Sequence, residues 1–268
     1  MVGEQFGYLL INRFIIVVDR NVQRRTGMKK IAVTMVVAMA TVWSANATLI
    51  DLVPDADIDI RSKDLADTGY NRETLWLVNA NADPSATRCG KAYIRYELPI
   101  LGTGESIVGA TFTIIRSNIG AWNWTYEVSG MDDGIANETN WVEANGAGGT
   151  TWNNAPANIT TSAYQFSDSS VVGTFQVANA ANGGANGDSH SITGTDLLNF
   201  INADNNGFVT LMIGRTGVST SSEQFASRSN GTYAAPTLTL DIIPEPATLG
   251  LLGVAGFGLL VFRRRMGS

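Results

Sequence analysis

The sequence contains few of the residues that most often build reactive centres. It has one cysteine, Cys89, so no disulfide can form within the chain and the fold depends on its hydrophobic core. Because His190 is its one histidine, a three-histidine zinc centre is excluded, and any Ser-His-Asp triad would have to use this residue. His190 lies in a polar stretch of Asn, Gly, Asp and Ser, which predicts an exposed loop. A glycine-rich phosphate loop and a paired-cysteine metal motif are both absent from the sequence.

Basic residues are also scarce between residues 48 and 242. This region holds nine basic and 21 acidic residues, a net charge of about −12, whereas the whole chain carries −6 because both ends are basic. Such an acidic surface repels phosphates, so nucleic acid is excluded as a partner. The charge also disfavours an anionic polysaccharide unless divalent cations bridge the like charges, and it favours a neutral glycan.

Long hydrophobic runs are absent from the middle of the chain, and the most informative one lies near the carboxyl end. Pro244-Glu245-Pro246 precede an apolar run from Ala247 to Phe262, and Arg263-Arg264-Arg265 follow it at once. Its sixteen residues would span about 24 Å as a helix, less than the ~30 Å of a bilayer core. Its four glycines weaken a helix, and the arginines would stay on the cytoplasmic side. The pattern predicts a single transmembrane sorting helix, with an ordinary tail anchor as the alternative.

These three parts, in this order, resemble the PEP-CTERM sorting signal of Gram-negative bacteria that make extracellular polysaccharide. The resemblance covers Pro244 to Arg265. It implies that an exosortase-type membrane enzyme recognises the segment and directs the protein to the cell surface, the outer membrane or the extracellular matrix. We therefore place a sorting segment at 243–268, with its transmembrane helix at 247–262 and its basic tail at 263–265.

An export signal is expected at the amino end, and one begins at Met28. Lys29-Lys30 form a positive region, Ile31 to Trp43 an apolar region, and Ala45-Asn46-Ala47 a small-residue cleavage site. We predict a signal peptide at 28–47 that is cleaved after Ala47.

The residues before the signal peptide, 1–27, fit neither a longer signal nor a folded element. Four arginines interrupt their apolar stretches: Arg13, Arg20, Arg24 and Arg25. We interpret this segment as an extension that arises from an upstream start codon, and we expect the mature chain to begin at Thr48.

The region between the two signals, 48–242, has a repeated β-strand pattern. Hydrophobic residues alternate with other residues in Lys91–Leu98 and again in Val108–Ile115, which is the period of two of a strand. One helix is predicted over Leu197–Ile201, where Thr195 and Asp196 are available as caps. Further β-rich runs are Ala56–Ile60, Thr74–Val78, Trp122–Val128, Val171–Val177, Gly207–Ile213 and Pro236–Ile242. Together these features predict an all-β fold, an antiparallel β-sandwich of the jelly-roll type with one short helix.

Several local sequences in 48–242 resemble the DNRLRE domain. The most specific is Trp152-Asn153-Asn154-Ala155-Pro156, and Phe225-Ala226-Ser227-Arg228 matches the family's signature near the end. One departure is Ser229, where the family usually has an acidic residue. The resemblance implies a jelly-roll module of secreted and surface proteins, some of which are linked to polysaccharide binding.

Tryptophans and asparagines are the candidate glycan contacts. An exposed indole buries the apolar face of a pyranose, and amides hydrogen-bond to sugar hydroxyls. We predict contacts from Trp122 and Trp124, which would share one strand face, and from Asn153 and Asn154. The alternative is that Trp152 is a core residue and its two asparagines close a turn.

Three carboxylates alternate along the first predicted strand, those of Asp55, Asp57 and Asp59. Carboxylates on one face could hold a structural Ca²⁺, which prefers oxygen ligands. The alternative is the solvated face of an outer strand, where like charges also discourage edge-to-edge aggregation. The acidic turn Asp132-Asp133 is a second, weaker candidate.

Catalysis has little support in the residue pattern. Arg88, Arg95, Tyr93 and Tyr96 have the chemistry for polysaccharide β-elimination, but their spacing is equally that of a packed strand. We predict a non-catalytic protein that is structural or interacts with extracellular polysaccharide. The alternatives are a polysaccharide lyase or hydrolase on the same scaffold, and a matrix protein that self-associates without a glycan ligand.

Overall fold

The computed structural model describes residues 6–11, 14–19, 47–81 and 83–244. The chain divides into two compact units, and the described part of the first unit is an antiparallel hairpin of β1 (Phe6–Ile11) and β2 (Phe14–Asp19). The sequence-based expectation that 1–27 contains no folded element is therefore wrong, because β-branched residues dominate β2 and favour a strand. The upstream-start interpretation stays a prediction. Most of the predicted signal peptide and residues 245–268 lie outside the described residues.

The second unit, Asn46–Pro244, contains a curled antiparallel sheet of twelve strands. Its single described α-helix is α1 (Thr195–Ala203), and short 3-10 turns lie at Lys63–Leu65 and Ala180–Asn182. The strands are β3 (Thr48–Leu52), β4 (Ala56–Arg61), β5 (Gly69–Tyr70), β6 (Thr74–Asn79), β7 (Cys89–Glu97), β8 (Glu105–Asn118), β9 (Trp124–Met131), β10 (Ser169–Val177), β11 (Ser189–Thr193), β12 (Phe208–Arg215), β13 (Ser219–Ala226) and β14 (Thr237–Pro244).

The strands follow one hydrogen-bonded path in the order β10-β9-β12-β7-β6-β13-β8-β14-β3, with β4 and β11 branching from β7 and β8. The path is continuous because β13 pairs with both β6 and β8. The prediction of an all-β, antiparallel fold with one short helix is confirmed. The finer prediction of a jelly-roll sandwich stays a prediction. A sandwich has two separate sheets, whereas here β13 joins the strands into one continuous sheet.

The principal core lies on the inner face of the curled sheet. On β7, the side chains of Ala92, Ile94 and Tyr96 point into it, in agreement with the predicted period of two. Helix α1 adds Leu197 and Ile201. Its N-terminus differs from the prediction, because the cap residue is Gly194 with φ 129°, and no side chain caps the helix.

A second core covers the outer face of β4, β7 and β12. It forms because the long connection between β9 and β10, residues 132–168, folds back over these strands; we call it the outer loop. Ile58 and Ile60 of β4, Tyr93 of β7 and Met212 of β12 are buried beneath it. The outer loop contributes Trp141, Trp152, Ala157 and Ala163.

All eight predicted β-runs lie largely within observed strands, but within the second unit β3, β5, β11 and β13 were not predicted. The prediction that His190 lies in an exposed loop is wrong, because it belongs to β11 and its ring stacks on Phe175 at 5.6 Å between centroids. Only His190 and Ile192 of this strand turn inward, so its alternation is too short to recognise. Burial and the nearby Arg116 lower the pKa of His190.

Candidate functional site

Lys91 anchors the outer loop to the sheet. Its Nζ donates hydrogen bonds to Asn158 Oδ1 (2.7 Å), the Gln165 carbonyl (2.7 Å) and the Ile159 carbonyl (3.2 Å). The same Nζ lies 4.7 Å from the ring centroids of Trp152 and Phe166. Burial lowers the pKa of Lys91 to about 7, while three acceptors and two aromatic rings favour its charged form. One side chain thus fixes several parts of the outer loop.

The two tryptophans of the outer loop are buried rather than presented to solvent. Trp141 Nε1 donates to Thr210 Oγ1 at 3.2 Å, and Trp152 Nε1 donates to the Thr160 carbonyl at 3.1 Å. The Trp141 ring also lies under the guanidinium of Arg95, 4.9 Å from its centroid. Trp152 is therefore a core residue, as the alternative interpretation of its motif held.

Asn153 and Asn154 both take part in fixing the outer loop. Asn153 Nδ2 donates to Asp67 Oδ1 at 2.8 Å. Asn154 Oδ1 accepts from the Thr151 amide at 2.6 Å, and its Nδ2 donates to the Gly149 carbonyl at 3.3 Å. The amides predicted as glycan contacts are thus already bound within the protein.

The two other predicted contacts, Trp122 and Trp124, differ in exposure. Trp122 precedes β9 instead of sharing a strand face with Trp124, and 60% of its surface is exposed. Trp124 packs against the inner core, with the guanidinium of Arg215 4.2 Å above its ring. The neighbour of Trp122, Ala121, contacts Ser221 of β13, whereas Asn153 contacts Asp67. The four predicted residues therefore do not form one site.

A cleft of about 220 Å³ opens on the outer loop. Two asparagines at its rim, Asn137 and Asn140, are exposed, and so is Val142. Its floor needs a glycine at 149, because a Cβ there would lie 2.0 Å from the Ala144 carbonyl oxygen. The lining residues are Asn137, Asn140, Trp141, Val142, Gly148, Gly149, Thr150, Asn154 and Pro156.

Sequence reasoning missed the rim of this cleft. Asn137 and Asn140 lie just before Trp141, so a cluster of amides beside a tryptophan was the available signal. Asn137 has a positive φ of 67°, a backbone conformation that asparagine adopts more readily than most residues. The cleft combines exposed amides with an apolar wall, and Asn154 fixes the backbone on one side of it through Thr151 and Gly149.

The three aspartates of the acidic row do not converge. Asp55 precedes β4, so the alternation of side chains along the strand does not extend to it. Its carboxylate accepts a hydrogen bond from Arg95 Nη2 at 2.7 Å. Asp59 accepts from Arg61 Nε at 2.5 Å. Among the described residues no group of three or more His, Cys, Asp or Glu side chains is arranged for a metal ion. A structural Ca²⁺ at this row stays a prediction that these contacts do not support.

Asp57 and Asp59 are buried, so they do not form a solvated face. Asp57 Oδ2 accepts from the Arg228 amide at 2.6 Å, and its Oδ1 is buried without a partner. Burial raises the pKa of Asp57 to about 7, and the nearby Glu143 carboxylate adds to the shift. Burial also raises the pKa of Asp59 to about 6, against the effect of Arg61.

The residues considered for β-elimination are dispersed. Tyr93 lies in the second core and Tyr96 in the principal core, so these two residues of β7 point to opposite faces of the sheet. Arg88 forms an exposed ion pair with Asp64 at 2.7 Å. The structure therefore does not bring these arginines and tyrosines together at one accessible place.

The last strand leads directly into the predicted sorting segment. In β14, Ile242 lies opposite Thr48 and Pro244 lies opposite Glu105. Of the predicted cleavage-site residues, Ala47 is described and Ala45 is not. Glu245, Pro246, the apolar run 247–262 and Arg263 to Arg265 also lie outside the described residues. Within the described ranges, no helix has the length and apolar character needed to cross a membrane.

Comparison with protein families gives one match, the PEP-CTERM protein-sorting motif at residues 243–265. The match begins inside β14, whose last two residues, Ile243 and Pro244, belong to it. No curated protein matches the chain. The DNRLRE resemblance of 48–242 is not accompanied by a family match. The chain therefore carries a PEP-CTERM sorting motif, which implies recognition by an exosortase-type system, export and anchoring at a membrane.

Proposed function

We propose that this protein is an exported, non-catalytic component of the cell surface or extracellular matrix whose DNRLRE-like, jelly-roll domain binds a neutral glycan in the outer-loop cleft. The cleft itself carries the proposal. Its rim places the exposed amides of Asn137 and Asn140 beside the apolar side chain of Val142. Amides both donate to and accept from hydroxyl groups, and an apolar wall packs against the C–H face of a sugar ring.

The charge of the domain supports a neutral ligand. The acidic excess of about −12 over residues 48–242 repels uronates and sulfated sugars at low salt. The cleft also has a firm frame, because Asn154, one of its lining residues, binds the Thr151 amide and the Gly149 carbonyl. A preformed frame lowers the entropy that is lost on binding.

The dispersal of Tyr93 and Tyr96 over two faces supports a non-catalytic role over a lyase. The secreted protein should be titrated with a panel of neutral and uronate-containing polysaccharides by calorimetry. The products should be assayed for new reducing ends and for unsaturated sugars. Binding without turnover supports the proposal, and turnover of any polysaccharide overturns it.

Variants locate the binding site. Asn137→Gly, which keeps the positive φ of this position, and Asn140→Ala should each weaken binding of a neutral glycan about fivefold, the equivalent of roughly 1 kcal/mol for a hydrogen bond. The matched control is Asn205→Ala, which alters an exposed asparagine outside the cleft. Equal affinity of all three variants and the parent protein would exclude the cleft as the site. If the protein self-associates but binds no glycan of the panel, the result would favour the alternative of a matrix protein that self-associates without a glycan ligand.

A further inference from the structure

Four exposed aliphatic side chains surround the place where β14 ends; we call them the aliphatic end. They are Leu49, Ile100, Leu101 and Val108. Ile100 is 100% exposed and Leu49 is 70% exposed. Isolated exposed aliphatic residues are ordinary, but a group at one end of a sheet marks a contact surface.

The sheet register places these residues around the last residues of β14. Leu49 lies opposite Asp241 on one side of β14, and Gly109 lies opposite Asp241 on the other side. The register shift between Asp241 and Ile242 leaves Val108 next to Gly109 without a ladder partner of its own. Leu49 and Val108 therefore flank β14 on its outer face.

Ile100 and Leu101 lie in the turn between β7 and β8, at the same end. Pro244, the last residue of β14, lies opposite Glu105, the first residue of β8. The Glu105 amide donates to the Gly102 carbonyl at 3.0 Å, and Glu105 Oε2 accepts from the Gly102 amide at 2.7 Å. These bonds close the turn and hold its two aliphatic residues beside the end of β14.

The length of the connection to the sorting segment limits how far this end can lie from a membrane. Only Glu245 and Pro246 separate Pro244 from the apolar run that begins at Ala247. Three extended residues reach at most about 11 Å. The headgroup layer on each side of a bilayer is roughly 7 Å thick. When the apolar run is inserted, the end of β14 must therefore lie at or near the headgroups.

We propose that the aliphatic end is a membrane-docking surface, with Ile100 and Leu101 inserted among the lipid headgroups and Leu49 and Val108 lying against them. The occupant is the lipid bilayer itself, because the covalent connection delivers this end to it. The inference depends on the PEP-CTERM motif and is independent of glycan binding. Since the charged residues beside this surface, Glu97, Glu105 and Asp241, are all acidic, docking needs no anionic lipid.

The single buried cysteine makes a direct test possible, because a cysteine introduced at the surface is labelled selectively. Full-length protein carrying Ile100→Cys is labelled with an environment-sensitive fluorophore and reconstituted into phosphatidylcholine vesicles. The matched control is Val218→Cys, at an exposed valine that follows β12. Phe208 at the start of β12 pairs with Glu97, close to Ile100, so Val218 lies at the other end of this strand, away from the aliphatic end. We expect a blue shift and protection from an aqueous quencher at position 100, and neither at position 218. Equal quenching at the two positions would overturn the proposal.

A second measurement separates docking from mere proximity. With the fluorophore on Leu49→Cys, the changes Ile100→Ser and Leu101→Ser should lower the protection from the quencher at least about twofold, because they remove the inserted apolar area. Ile100 is fully exposed and Leu101 is 37% exposed, so we expect the fold to be retained, and the thermal midpoint checks this. Unchanged protection in this variant contradicts docking through the turn. Protection at position 100 that persists without vesicles would show that a second copy covers this end, which also overturns the proposal. Addition of phosphatidylglycerol should not increase the protection.

Discussion

Ile242 of β14 lies directly opposite Thr48 of β3. Thr48 is the residue at which the mature chain is predicted to begin, and Ile242 immediately precedes the PEP-CTERM match at 243–265. Both predicted processing regions therefore adjoin one end of the sheet. Because β3 begins at Thr48, cleavage after Ala47 would leave it intact and still paired with β14.

Removal of β3 should destabilise this edge of the sheet. A chain that begins at Val53 would expose the backbone of β14 and part of Leu240 and Ile242, which are buried in the native protein. We expect a lower thermal midpoint and faster hydrogen exchange at β14 than in a chain that begins at Thr48. N-terminal sequencing of secreted protein should find Thr48, and a mature chain that begins after Leu52 would contradict this role of β3.

Glu223 and Arg116 form a fully buried ion pair, and its loss should be costly. Arg116 donates from Nη2 at 2.5 Å and from Nε at 3.0 Å, and the Gly120 amide donates to the same carboxylate at 2.8 Å. Glu223→Gln removes the charge that compensates Arg116, so we expect a loss of about 3–5 kcal/mol in the free energy of unfolding. Urea denaturation measures it. The control is Asp64→Asn, which breaks the exposed pair with Arg88 and should change the free energy of unfolding far less.

The stability of the domain should depend on pH through Asp57. Its pKa is raised to about 7 in the folded protein, so the folded state binds the proton more tightly than the unfolded state, whose pKa is about 4. The stabilisation from this proton is fully present below pH ~4 and is lost as the pH rises through 7. Asp57→Asn should retain the hydrogen bond from the Arg228 amide and abolish this contribution.

The measurement is the free energy of unfolding of the parent protein and of Asp57→Asn at pH 5 and pH 8. The difference between the two proteins should change by on the order of a few kcal/mol over this interval, with the variant relatively more stable at pH 8. A difference that is constant with pH would show that Asp57 has an ordinary pKa.

Lys91→Met should loosen the outer loop without unfolding the inner core. The change leaves Asn158 Oδ1 and two carbonyl oxygens without their donor, at a cost of about 2–4 kcal/mol. Limited proteolysis should cut within 132–168 sooner than in the parent protein. Hydrogen exchange in β8 and β14 should change little. The control is Lys63→Met, because Lys63 is the other lysine of the region and is exposed.

Cys89 should be inert in the native protein. Its side chain is buried completely. Its Sγ lies 3.5 Å from the Asn81 carbonyl oxygen. A thiol reagent should react at the rate of unfolding in water and at once in concentrated urea. Fast labelling of native protein would contradict the burial of Cys89.

The local pattern of residues was sufficient for the elements whose signal lies within a few neighbouring positions. Alternation in 91–98 and 108–115 identified β7 and β8, because along most of each stretch every second side chain is apolar and buried in the principal core. The apolar segment of α1 was also identified, although its predicted cap was not. The short strand β11 was missed, since only His190 and Ile192 turn inward and a period of two needs more positions to be visible.

By itself, the sequence determined that the chain is rich in β-strands, that residues 48–242 are acidic, and that a sorting motif occupies 243–265. Only the tertiary structure decided which polar residues are buried and which are free to bind a ligand. From its pattern Asp57 is expected at the surface, but in the fold it is buried and accepts a hydrogen bond from the amide of Arg228, 171 positions away. Asn154 was predicted to contact a ligand, but its side chain is hydrogen-bonded within the outer loop. The physical reason is that periodicity tells which residues share a face, whereas the burial of that face depends on segments distant in the chain that fold over it.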